Sequence, residues 1–182
     1  MFKLLRSDYL KYKSYGGHFT SIVFLTQGFW AIFQYRVANY FFLKLKVPFF
    51  RQIVLSICLL WRKGIEIVTG ISIPASANIG HSFYIGHFGG IFLNAKVVIG
   101  NNCNISQGVT IGVSGTNENR GVPIIGNNVY IGANSVIVGQ IIIEDNVLIG
   151  ACSLVNSNIP QGHVVLGVPA KIISKNSSKG YI

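Results

Sequence analysis

Four histidines, His18, His81, His87 and His163, are the side chains best suited to proton transfer near neutral pH. His87 stands apart by its setting, Gly86-His87-Phe88-Gly89-Gly90, where three glycines flank a lone imidazole. A neutral imidazole in such a position can act as a general base. It takes the proton of a hydroxyl as that oxygen attacks a thioester. The three cysteines, Cys58, Cys103 and Cys152, are odd in number and show no metal-ligand spacing, which fits a reduced, cytoplasmic compartment.

The elements that must position His87 are written as a six-residue repeat. Aliphatic residues recur at Ile73, Ile79, Ile85, Leu93, Ile99, Ile105, Ile111, Ile125, Ile131, Ile137, Ile143, Ile149 and Val155. Many open an Ile-Gly-Asn-Asn or Ile-Gly-Ala unit, as at Ile99-Gly100-Asn101-Asn102 and Ile131-Gly132-Ala133. This period predicts a parallel β-helix in which each hexad is one side of a prism and three hexads close a coil. The aliphatic residues point inward and stack, while Gly and Asn supply the positive φ that sharp corners need.

The repeat breaks twice. The step from Ile85 to Leu93 is lengthened by the run that holds His87, and the step from Ile111 to Ile125 by the polar segment Val113 to Gly121. Breaks in a strict repeat mark loops on one face, often functional ones. The same geometry excludes a metal site within one chain. His81 and His87 fall on successive faces, and the positions one coil beyond His87 are Ile105, Ser106 and Gln107.

Residues 1–70 differ from the rest. They hold ten Lys or Arg against Asp8 and Glu66, a balance of +8, whereas residues 71–182 hold five against Glu118, Glu144 and Asp145, a balance of +2. Phe29, Trp30, Phe33, Val37, Tyr40 and Phe41 recur at helical spacing, Pro48 should end that helix, and a second apolar run covers Ile53 to Trp61. Neither run reaches the roughly 18 uninterrupted apolar residues of a membrane span. The expected organisation is a helical extension over 1–70, a β-helix over 71–173 and a tail over 174–182. The extension caps the β-helix, and its basic, aromatic character suits peripheral contact with the inner face of an anionic membrane. Nothing in it suggests nucleic-acid binding.

Several segments carry a family resemblance. Ile85-Gly86-His87-Phe88-Gly89-Gly90, Ser106-Gln107-Gly108-Val109-Thr110-Ile111-Gly112, Ile131-Gly132-Ala133, Ile149-Gly150-Ala151 and Gly167-Val168-Pro169-Ala170-Lys171 resemble the serine acetyltransferase branch of the hexapeptide-repeat acyltransferases. The resemblance implies a mainly β fold, a left-handed parallel β-helix with a short α-helical N-terminal extension. It also implies a homotrimer, with acetyl-CoA as co-substrate in grooves between subunits. It makes His87 the catalytic base and places the cofactor along Gly112, Gly132, Ala133 and Ala151, with Lys171 near the CoA phosphates.

Other positions depart from that branch. The family's histidine-orienting aspartate falls on Ser72, and the aspartate before the histidine falls on Gly86, a substrate-side position. The Arg-His pair that grips the amino-acid carboxylate falls on Gly121 and Val122, with Arg120 one place away as the candidate replacement. Ser72 is then the candidate partner of His87, with a backbone carbonyl or Glu66 as alternatives. With the charged clamps missing, the expected acceptor is a sugar hydroxyl, as in the related O-acetyltransferases of capsule and exopolysaccharide assembly, on a small or lipid-linked glycan. The alternatives are serine O-acetylation and a non-catalytic trimeric scaffold.

Overall fold

The computed structural model describes residues 1–182, apart from the side chain of Asn119. Three helices come first: α1 (Phe2–Ser14), α2 (Gln27–Lys44) and α3 (Pro48–Thr69), with a π-helical turn at Ser21–Leu25 between the first two. Pro48 does not end α2, which stops at Lys44. It opens α3 instead, where its missing N–H falls among donors that a helix start leaves free anyway. The second apolar run lies inside α3, which closes on Gly70 at φ 67°.

Fifteen short strands follow. The first coil holds β1 (Ile71–Ser72), β2 (Asn78–Ile79) and β3 (Tyr84–Ile85). The second holds β4 (Ile91–Leu93), β5 (Val98–Ile99) and β6 (Asn104–Ile105), and the third β7 (Thr110–Gly112), β8 (Ile124–Ile125) and β9 (Tyr130–Ile131). Next come β10 (Val136–Val138), β11 (Ile142–Ile143), β12 (Leu148–Ile149) and β13 (Leu154–Val155). A closing antiparallel hairpin, β14 (Val164–Gly167) and β15 (Ala170–Ser174), ends the series. As far as β13 every third strand pairs in parallel, and β12 then pairs with β14, giving one sheet of β1-β4-β7-β10-β13, a second of β2-β5-β8-β11 and a third of β3-β6-β9-β12-β14-β15 that ends in the antiparallel hairpin.

All thirteen aliphatic repeat positions are buried, most at 0–2% exposure, in one continuous column. The corners take the left-handed conformation. Asn102, Asn128 and Asn146 have φ of 58°, 54° and 60°, and their side-chain amides bond in a ladder at 2.8 and 3.0 Å.

An open β-helix end exposes unpaired backbone groups, and the helices cover them. Tyr35 and Tyr12 donate their hydroxyls to the carbonyls of Ala77 and Ile85, each at 2.8 Å. Arg36 donates to the carbonyls of Ile79 and Gly80, and the Phe83 N–H donates to Asp8 at 2.9 Å. At the other end, the Ser178 hydroxyl donates to the Asn128 carbonyl and the Tyr181 carbonyl accepts from Asn104, so the tail runs back along a prism edge.

Candidate active site

His87 lies on the turn from β3 to β4, at the edge where the third sheet meets the first, and its side chain is exposed. The turn is held from both sides. The Gly89 N–H donates to the Thr69 carbonyl at 2.8 Å, and the Gly89 carbonyl accepts the Gly108 N–H at 2.9 Å. Gly70 packs so closely that a Cβ there would sit 3.0 Å from the Gly90 nitrogen. The extra residues of the first break are therefore locked between the end of α3 and the next coil.

The same edge continues below His87. The Asn134 N–H donates to the Gln107 carbonyl at 2.9 Å, and the Cys152 N–H to the Ala133 carbonyl at 2.8 Å. His87, Gln107, Ala133 and Ala151 thus occupy successive levels of one edge. Ala133 is half-buried and Ala151 exposed, so both present a small side chain to an approaching ligand. Gly132 has a different reason to be glycine: a Cβ there would lie 2.6 Å from the Ala151 nitrogen, so coil stacking demands it. Gly112 ends β7 on the next edge, and a Cβ there would meet nothing nearer than Val138 at 3.6 Å. Packing leaves Gly112 free, and an open backbone is what a ligand lying against it needs. Lys171 is exposed on β15, opposite Leu166 in the terminal hairpin.

Ser72 sits in β1 opposite Phe92 and directs its hydroxyl to Glu66 Oε1 at 2.6 Å. Glu66 also takes Lys63 at 2.6 Å and Arg62 at 3.2 Å. Burial pushes the Glu66 carboxyl up, but hydrogen bonds from Lys63 and Ser72 and the Arg62 charge outweigh it, leaving the group below its usual range. The His87 imidazole has no hydrogen bond to Ser72 or Glu66 among the described residues.

The second break folds as a small arch, closed by the antiparallel pair Ser114 and Gly121 around a tight turn at Asn117–Asn119. It stands where the first sheet meets the second. Arg120 lines a groove of about 570 Å³ beside it, together with Lys96, Asn94 and Gln140. Gly121 faces the Gln140 backbone so closely that a Cβ would fall 2.5 Å from the Gln140 Cβ, and Val122 packs against the core. Gly121 has no room for a side chain, and Val122 offers the groove only an apolar one. Lys96 escaped the sequence reading. Its signal was the corner Asn94-Ala95-Lys96, one coil plus the inserted loop before Arg120.

One chain does not bring every candidate together. His87, Ala133 and Ala151 share one edge, while Gly112 and Arg120 lie on the next. The width of the first sheet separates them, roughly 16 Å for about five residues at strand rise.

Residues 123–157 match the family model described as bacterial transferase hexapeptide (six repeats). The chain is 40% identical over 111 residues to a serine acetyltransferase of Staphylococcus epidermidis, covering 61% of this chain and 52% of that one. It is 36% identical over 165 residues to a serine acetyltransferase of Buchnera aphidicola, covering 89% and 60%. Among solved structures, serine acetyltransferase from Neisseria gonorrhoeae superposes with a TM-score of 0.81 at 28% identity, covering 96% of this chain and 66% of that one. A serine acetyltransferase in complex with CoA superposes with a TM-score of 0.77 at 28% identity, covering 94% and 68%. The chain thus spans little more than half to about two thirds of these relatives. Together the matches support a hexapeptide-repeat acyltransferase.

They also overturn the expected sugar acceptor and the place with surface-polysaccharide enzymes, since these relatives are named serine acetyltransferases. That expectation rested on clamp residues missing at fixed positions. It weighed Arg120 alone and missed Lys96, which folding brings from a separate coil to the same groove.

Proposed function

We propose that this protein transfers the acetyl group of acetyl-CoA to the hydroxyl of serine, as a homotrimer of left-handed β-helices. The reading rests chiefly on the 40% identity to a serine acetyltransferase over 111 residues. It agrees with a histidine and two small residues stacked on one prism edge.

In this mechanism His87 takes the proton of the serine hydroxyl, and the alkoxide attacks the thioester carbonyl. Backbone N–H groups stabilise the tetrahedral oxyanion. Collapse breaks the C–S bond, and the thiolate leaves with the proton held by the imidazolium. The pantetheine arm lies along Ala133 and Ala151, with Gly112 of a neighbouring subunit facing it and Lys171 toward the phosphates. A second copy is needed because Arg120 lies one sheet-width from His87 within the chain. The trimer sets the arch of one subunit beside the His87 edge of the next.

The serine carboxylate binds in the groove beside the arch, where Lys96 and Arg120 have no acidic partner among the described residues. Gly86 leaves room for the substrate next to His87. Release of CoA thiol on mixing acetyl-CoA with L-serine, against L-threonine, glycerol and free sugars, tests the assignment. Preference for L-serine supports it, and equal or better turnover of an uncharged alcohol overturns it.

A further inference from the structure

Along one face of α3, large apolar residues stand exposed from one end of the helix to the other, with only Lys63 and Gly64 at the turn between Leu60 and Ile67. Phe49, Ile53, Ile57, Leu60 and Ile67 recur at steps of four, four, three and seven residues, so they form a single stripe. They are exposed at 76%, 44%, 61%, 72% and 84%. The opposite face is the packed one. There Cys58 is buried with its carbonyl accepting from Gln34, and Arg51 reaches the Phe42 ring and carbonyl on α2. A continuous apolar patch of this size on a folded protein marks an interaction surface.

Charge selects the partner. The only two acids in residues 1–70 are already matched, Asp8 by buried Arg36 and Glu66 by Lys63 and Arg62. Lys44 and Lys46 remain exposed at the start of the stripe with no acidic partner among the described residues. Pairing this face with its own copy would bring two basic segments together in a dry contact, which like-charge repulsion opposes. An anionic lipid surface offers the opposite charge and an apolar layer just beneath it. The helix is about 33 Å long at its 22 residues, yet among the described residues no helix is long and apolar enough to cross a membrane. Lying in the interface is the remaining geometry.

We infer that α3 rests flat on an anionic bilayer, with Phe49, Ile53, Ile57, Leu60 and Ile67 entering the headgroup boundary and Lys44 and Lys46 meeting lipid phosphates. Thr69, two residues beyond Ile67, holds the His87 turn through Gly89, so binding would set the candidate active site beside the membrane surface. The inference stands independently of the acceptor.

Co-sedimentation of the full chain with vesicles of phosphatidylcholine alone, or mixed with phosphatidylglycerol, tests it at low and high salt. The wild type should pellet with the anionic vesicles at low salt and be released at high salt. Ile57→Asp with Leu60→Asp should weaken vesicle binding by at least about tenfold while circular dichroism and oligomeric mass stay unchanged. Lys44→Glu with Lys46→Glu, at exposed positions the fold does not use, should remove the salt-sensitive part. The inference fails if the wild type stays in the supernatant with anionic vesicles at low salt. It fails equally if neither pair of changes alters binding, or if the aspartate pair breaks the oligomer apart, which would mean that a second copy covers the stripe.

Discussion

The Ser72 hydroxyl donates to Glu66 Oε1 at 2.6 Å, while Glu66 Oε2 takes Lys63 at the same distance. The residue at the expected orienting position thus hands its hydrogen bond to the end of α3, and a carboxylate lies one bond away from where the sequence lacked one. The Glu66 carboxyl is held below its usual range, so folding favours its ionised form. Its contribution is complete above the ordinary carboxylate range and is lost as pH falls through the lowered value. Because Lys63 is well exposed, the contribution should stay within about 1 kcal/mol. Glu66→Gln should therefore melt slightly below wild type at about pH 7, and the gap should close as pH falls through the lowered Glu66 value. A gap that widens toward acid would contradict the assignment.

His87→Ala should lower kcat by about 10²–10⁴, the usual contribution of a general base. His87 is exposed and its side chain supports no hydrogen bond among the described residues, so the melting temperature should not move. Calorimetric titration with CoA should give an unchanged Kd, because Ala133 and Ala151 sit two and three coils further along the edge. Near-normal turnover would remove His87 from the mechanism.

Gly132 and Ala151 are adjacent in the stack but should respond in opposite ways. Gly132→Ala forces a Cβ to within 2.6 Å of the Ala151 nitrogen and should cost about 1–3 kcal/mol in stability, the scale of overpacking. Ala151→Leu adds bulk at an exposed position and should leave stability alone. If pantetheine lies there, the KM for acetyl-CoA should rise about tenfold or more, since a comparable steric cost falls on binding. Denaturant midpoints and acetyl-CoA titrations separate the two. A normal KM for the leucine variant would move the cofactor to another edge.

The column of aliphatic residues was legible because the hexad spacing itself assigns Ile79, Ile99 and Ile125 to one sheet. The sequence also located both departures from the repeat, since a loop that leaves a coil must break its period. It could not show how the open end is closed. Nothing in residue type or spacing marked Tyr12, Tyr35 and Arg36 as donors to coil-edge carbonyls more than forty residues away. The helix stop at Lys44 was missed because Pro48 reads equally well as a terminator and as a first helical residue. Lys96 and Arg120 were unreadable as a pair, since the arch that joins them to one groove forms only when Ser114 meets Gly121.

Arg36 is the most demanding test of the cap. It is fully buried, binds Asp8 through two nitrogens at 2.8 and 3.1 Å, and donates to the carbonyls of Ile79 and Gly80. Arg36→Met removes the charge and keeps much of the volume. It leaves a buried carboxylate without its counter-ion, a loss of about 3–5 kcal/mol. Replacing both partners, Asp8→Asn with Arg36→Met, removes the stranded charge and should recover part of that loss. Full recovery is not expected, because the Ile79 and Gly80 carbonyls would still lack their donor, and a buried unsatisfied group costs about 1–3 kcal/mol. Denaturant midpoints for the two single variants and the double variant form a complete cycle. A midpoint for Arg36→Met within about 1 kcal/mol of wild type would mean that the helices merely rest on the β-helix and do not seal its end.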